Sequence, residues 1–239
     1  MKTDLNITSH ISKRYNQELE QIRSMLTEMG ELVFKQVEDG LECLLNLNAE
    51  LAEQVIANDK KVNQLEIKID VACTHILATR QPTASDLRLI LCVIKTITDI
   101  ERIGDEAIKL GKNALKIINS DKNIRQFNEL KHLGEHVITN LRLSLLAYAT
   151  LNVDAALRAL EQDKNIDEEF DNISRLLITK MMEDPREVKN SLRITWCARA
   201  LERIGDHSKN VSEHVIFLVK GKDIRHASTD QIKQTLSEL

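Results

Sequence analysis

Glu101-Arg102-Ile103-Gly104-Asp105 returns letter for letter as Glu202-Arg203-Ile204-Gly205-Asp206, and this repeat decides how the 239-residue chain is read. Each copy sets two carboxylates one helical turn apart on the same face. Like charges at that spacing repel by a few tenths of a kcal/mol on an open helix. With 37 acids in the chain, chance alone supplies about six acid-xxx-acid pairs. The identical residues between the acids, and the matching frame around them, set these two apart from the background. A chain that builds the same repulsion twice is expected to place a cation there.

The frame extends well beyond the pentapeptide. Asn58-Asp59-Lys60-Lys61-Val62-Asn63 leads to Pro82 and then to the first copy; Gln162-Asp163-Lys164-Asn165-Ile166-Asp167 leads to Pro185 and then to the second. Hydrophobic periodicity predicts helices at 12–46, 49–79, 84–119, 125–150, 153–183 and 186–220, with a short C-terminal helix after Gly221. Breaks are expected at Asn46-Leu47-Asn48, Pro82, Ser120-Asp121-Lys122-Asn123, Leu151-Asn152 and Asp184-Pro185. The third helix carries an apolar seam of Val93, Ile97, Ile100, Gly104, Ala107 and Gly111. The sixth repeats it as Ile194, Ala198, Leu201, Gly205, Ser208 and Ser212. That spacing is coiled-coil-like, with small residues where a neighbour comes close. The expected fold is all-α: two tandem, pseudo-twofold-related three-helix bundles, residues 1–122 and 123–239.

Composition agrees with long helices. Only two prolines and seven glycines punctuate the chain, and aromatics are 3%. A net charge of −4, with no basic arm or stacking aromatics, argues against nucleic acid as a partner. Four scattered cysteines (Cys43, Cys73, Cys92, Cys197) have no paired spacing and read as buried free thiols in a reducing compartment. No 18-residue apolar run marks a membrane span and the N-terminus is polar, so the expectation is a soluble cytoplasmic protein without membrane insertion.

Each proline marks the turn of an antiparallel hairpin, so residues equidistant from it lie at one height. Asp163 and Asp206 are equidistant from Pro185 to within one residue, as are Asp167 and Glu202. In the first half Asp59 and Asp105 match about Pro82, as do Asn63 and Glu101. At about 1.5 Å per residue each pair is level, so four oxygen-bearing side chains can converge in each half. Clustered carboxylates attract hard or borderline cations such as Mg, Ca, Mn and Fe, and Zn less readily. The plain alternative is a solvated acidic face eased by Arg102, Arg203 and Lys109. His132-Leu133-Gly134-Glu135-His136 matches a zinc-peptidase string, but on a polar helix face. Glu129-Leu130-Lys131-His132 is a single E-x-x-H where a di-iron bundle needs two. His207 and His214 flank the second acid pair as outer ligands or as solvated side chains.

Over its whole length the chain resembles the PhoU family, and its enterobacterial-type members most. The resemblance is carried by Arg80-Gln-Pro-Thr-Ala-Ser-Asp86-Leu-Arg88-Leu, the two Glu-Arg-Ile-Gly-Asp copies, Met181-Met-Glu-Asp-Pro185, and Val219-Lys-Gly-Lys-Asp-Ile-Arg-His226. It implies two three-helix bundles, a homodimer, and metal-binding E(D)xxxD motifs. These fall on Glu101 and Asp105, on Glu202 and Asp206, and on the facing Asp163 and Asp167. The matching first-half motif, Asp59 to Asn63, departs from a full acid pair at Asn63. The implied ions are divalent or trivalent: Fe, Mg, Mn or Zn. The implied role is a non-enzymatic adaptor that represses the phosphate-starvation regulon and restrains phosphate uptake. Its implied partners are the phosphate ABC transporter's ATPase subunit and a phosphate-sensing histidine kinase. The alternative function is a carboxylate-bridged metalloenzyme of a helical bundle.

Overall fold

Two Leu-Asn turns open the second helix of each half in the same way. Leu47 and Leu151 take positive φ (53° and 51°), a conformation uncommon for non-glycine residues. Asn48 and Asn152 then cap the next helix, their side-chain oxygens accepting from Leu51 N at 3.1 Å and from Ala155 N at 3.0 Å. Such caps satisfy backbone donors that the helix itself leaves orphaned. The computed structural model describes residues 13–119 and 128–225 together with 227, 231, 232 and 234.

Its elements are α1 (Lys13–Asn46), α2 (Ala49–Arg80), α3 (Ala84–Ile118), α4 (Asn128–Thr150), α5 (Val153–Glu183) and α6 (Val188–Lys220). Among the described residues there is no strand. Helices α1, α2 and α3 pack on one another, and α4, α5 and α6 do likewise. The two triplets meet chiefly through α3 against α6, with α1 touching α4, and a single apolar core runs through both. The break at 120–123 and the bundle boundary near 122 fall on residues outside the described set. So does most of the C-terminal helix. Helix α6 begins two residues later than its periodicity suggests, because Pro185–Glu187 forms a 3-10 turn. Asp184 caps that turn, accepting from Arg186 N at 3.0 Å.

Both seams face inward. All six seam residues of α3 and all six of α6 are buried. A Cβ on Gly205 would sit 3.2 Å from Ile166 of α5, tight enough that the isoleucine would have to give way, so glycine here favours the close approach of α5 and α6. Helices α3 and α6 run antiparallel across the molecule. Near the start of α3, Arg88 lies against Gly221 at the end of α6; further along, Asp99 meets His207, and Glu106 meets Arg203. Gly221 is left-handed (φ 71°), and a side chain there would strike the Arg88 guanidinium. This crossing carries the pseudo-twofold relation through the middle of the two repeated pentapeptides. All four cysteines are free and buried, and burial pushes their thiols up to about 12.

Candidate metal centre

Where α5 packs on α6, Asp167, Glu202 and Asp206 each offer a carboxylate oxygen within 4.8 Å of the other two. Hairpin register produces this: Asp167 is level with Glu202 across the Pro185 turn, and Asp206 is one turn beyond Glu202 on the same face. Glu202 is buried while Asp167 and Asp206 are exposed, so the cluster opens to solvent at the edge of the groove. Burial first, and Asp206 second, push the Glu202 carboxyl up to about 7, against the pull of Arg199. Asp167 and Asp206 are also raised, by burial and then by the negative charge of Asp163. Raised acids of this kind are carboxylates held together without enough positive charge among them.

Asp163, 2% exposed, stands beside the trio and is held by Lys209, whose Nζ donates to Asp163 Oδ2 at 2.7 Å. Its other oxygen, Oδ1, has no hydrogen-bond partner, and neither does Glu202 Oε2. Two buried carboxylate oxygens without partners beside a three-acid cluster suit a divalent cation, because a buried acceptor left unmatched is costly. Oxygen-only donors suit hard ions such as magnesium, manganese and calcium.

The first half is built differently. Asn63 Nδ2 donates to Asp59 Oδ2 at 2.9 Å, so the amide is spent on the acid one turn away. Among the described residues Asp59, Glu101 and Asp105 do not converge as the second-half trio does. They still share a field: the Glu101 carboxyl is raised by burial, then by Asp105, Glu66 and Asp59. Glu66 is the acid that the reading of the sequence missed. It lies one turn beyond Asn63, its carboxyl raised by burial, then by Asp70 and Asp105, and the frame puts Phe170 at the matching place in the second half. Asn63 therefore does not leave the first half short of negative charge; what distinguishes the halves is how closely the carboxylates gather.

The cations expected to ease the acids do so from other positions. Arg203 and Lys109 both turn to Glu106, at 3.1 and 2.8 Å, away from the acid pairs. In the second half the easing comes from Lys209 and from Arg199, whose Nη1 donates to Glu202 Oε1 at 2.6 Å. His207 and His214 are not solvated; both turn away from the acid trio toward α3. Both are buried and donate to Asp99 of α3, His207 Nδ1 to Oδ1 at 2.9 Å and His214 Nε2 to Oδ2 at 3.0 Å. Asn210 adds a third bond to Asp99 Oδ1 at 3.0 Å. Burial pushes the Asp99 carboxyl up, but these three donors outweigh it and hold it well below the usual carboxylate range. His132 and His136 sit exposed on α4, with His136 Nδ1 2.8 Å from Glu169 rather than on a shared metal face.

The PhoU domain family model matches residues 26–126 and 130–215. The chain belongs to the PhoU family. It is 44% identical to the phosphate-specific transport system accessory protein PhoU homolog of Pseudomonas aeruginosa, over 96% of this chain and 95% of that one. It is 42% identical to the PhoU accessory protein of Escherichia coli, over 98% of this chain and 96% of that one. A crystal structure of PhoU from Pseudomonas aeruginosa matches the fold with a TM-score of 0.84 at 45% identity, over 87% of this chain and all of that one. The phosphate transport system regulatory protein PhoU from Streptococcus pneumoniae matches with a TM-score of 0.80 at 25% identity, over 87% of this chain and 98% of that one. Among the described residues no helix is long and apolar enough to cross a membrane.

Proposed function

We propose that this PhoU-family chain is a non-catalytic regulatory adaptor of phosphate transport, working in the cytoplasm as a homodimer. It couples the ATPase subunit of a phosphate ABC transporter to a phosphate-sensing histidine kinase. When phosphate is plentiful it keeps the phosphate-starvation genes off and restrains uptake. The observation that carries this reading is the match along nearly the whole chain to relatives that are named transport accessory or regulatory proteins. Fold alone does not fix a function, but here the match is one of sequence as well, at 42–44% identity over nearly the whole chain.

Metal is the second part of the proposal. Asp167, Glu202 and Asp206, with Asp163 beside them, hold a divalent or trivalent ion, and Glu101, Asp105, Asp59 and Glu66, with Asn63, form a looser counterpart. The bound ion supplies positive charge that lets four acids share one groove, which orders the α5/α6 face presented to partners. The three clustered acids and the two unpartnered buried oxygens support this part.

The test is a starvation-promoter reporter read at high phosphate. A deletion strain is expected to express the reporter constitutively, and a strain carrying Glu202→Ala with Asp206→Ala to express it partially, with circular dichroism of that variant unchanged. Full repression in the deletion strain defeats the adaptor reading. Full repression by the double variant defeats only the part that depends on metal.

A further inference from the structure

The pseudo-twofold relation generates two clefts along the α3/α6 crossing, and the copies have diverged. In the first, of about 380 Å³, Lys95, Thr98, Asp99 and Arg102 of α3 face Asn210 and His214 of α6. Asp99 is satisfied there by the imidazoles and the Asn210 amide, and Arg225, which also lines the cleft, is paired with Asp223.

The second cleft, of about 310 Å³, has Trp196, Arg199, Ala200 and Arg203 in the matching places on α6. Ala200 deletes the acid that Asp99 supplies in the other copy. Arg199 stands where Thr98 does, Trp196 where Lys95 does, and Lys109 of α3 where Asn210 does. Lys116 lines the same wall. Four cations thus line the cleft with one acid, Glu106; Arg199 is drawn to Glu202 outside it, leaving Lys109, Lys116 and Arg203, in a chain whose net charge is −4.

Glu106 is 3% exposed and acts as an anchor, taking Lys109 Nζ at 2.8 Å and Arg203 Nε at 3.1 Å. Arg203 approaches Glu106 through Nε, and a guanidinium carries five N–H donors, more than one carboxylate can use. Beside them the indole of Trp196 is 54% exposed. A fork of anchored cations is a phosphate seat, and an exposed indole is a platform for a planar base. A cleft of this size sits at the small end of ligand sites.

We propose that this cleft binds a nucleotide, its phosphates on Lys109, Lys116 and Arg203 and its base against Trp196. The site adjoins the acidic cluster through Arg199, which donates to Glu202, but the residues assigned to the nucleotide are not members of that cluster.

Trp196 is the chain's sole tryptophan, so its emission reports the cleft directly. The full-length protein is titrated with ATP and, separately, with inorganic phosphate, both in excess EDTA so that metal at the acidic cluster plays no part. Saturable quenching by ATP is expected, with a matching calorimetric isotherm. Trp196→Leu, followed by calorimetry, is expected to weaken ATP by about tenfold and leave phosphate binding unchanged. Lys116→Ala is expected to weaken both ligands several-fold with no change in melting temperature. The absence of a saturable ATP isotherm overturns the proposal. So does ATP binding no tighter than phosphate and indifferent to Trp196→Leu, which marks a plain anion site.

Discussion

Glu202 sits at the centre of the chemistry, because it is the one buried member of the carboxylate trio. Burial, and then Asp206, push its carboxyl up to about 7 from the ordinary 4.5 of an exposed glutamate. The folded state therefore keeps a proton that the unfolded state has lost between those values. Stability from this group is fully present below about pH 4.5 and is lost as pH rises through 7. At pH 8 in chelator, Glu202→Gln removes that penalty but gives up the partly exposed Arg199 pair. The net expectation is a gain of about 1 kcal/mol, or roughly 2–4 °C in melting temperature for a chain of this size. At pH 4.5 the gain is expected to vanish. Paired melts at the two pH values check this, and an equal effect at both would show that Glu202 does not titrate as described. For the same reason, metal binding at neutral pH is expected to release a proton.

At the scale of helices, the repeat and the prolines made most of the fold legible. Periods of 3.6 placed all six helices to within a few residues, and the Leu-Asn and Pro turns gave their ends. The small-residue seam also held: its members are buried in both halves. What one-dimensional spacing could not give was side-chain direction. Arg203 lies inside the acidic motif yet turns across to Glu106 on α3, and His207 and His214 turn to Asp99 on α3. Those choices are made by the α3/α6 crossing, which has no signal within either helix alone. Glu66 was missed because, although it makes an E-x-x-x-D pair with Asp70, it lies outside the duplicated frame and has no acidic counterpart in the second half.

The two motif glycines offer a test at this same scale. Alanine is worth about 1 kcal/mol over glycine inside a helix. A Cβ at Gly104 meets Gln36, Val33 and Val62 at 3.4, 3.6 and 3.7 Å, all ordinary contacts, so Gly104→Ala is expected to be neutral or slightly stabilising. A Cβ at Gly205 meets two atoms of fully buried Ile166 at 3.2 Å. Overpacking of that kind costs about 1–3 kcal/mol, so Gly205→Ala is expected to destabilise by about 1 kcal/mol on balance. Urea unfolding of both variants decides it, and equal effects would contradict the asymmetric packing of α5 on α6.

Across the whole molecule, the duplication produced two halves with one plan and different chemistry. The second half gathers three carboxylates and eases them with Arg199 and Lys209; the first spreads Asp59, Glu66, Glu101 and Asp105 and uses Asn63 to satisfy one of them. A divalent ion binds better where its ligands are already together, since less conformational freedom is lost in assembling them. The measurement that tests this most directly is calorimetric titration of metal-free protein with Mn²⁺ at pH 7.5, for the parent, Asp206→Asn and Asp105→Asn. The parent is expected to show a tight and a weaker site. Asp206→Asn is expected to lose the tight one, by tenfold or more in affinity for about 1.4 kcal/mol, while Asp105→Asn keeps it. No Mn²⁺ binding by the parent, or equal losses in the two variants, would contradict a metal centre seated on Asp167, Glu202 and Asp206.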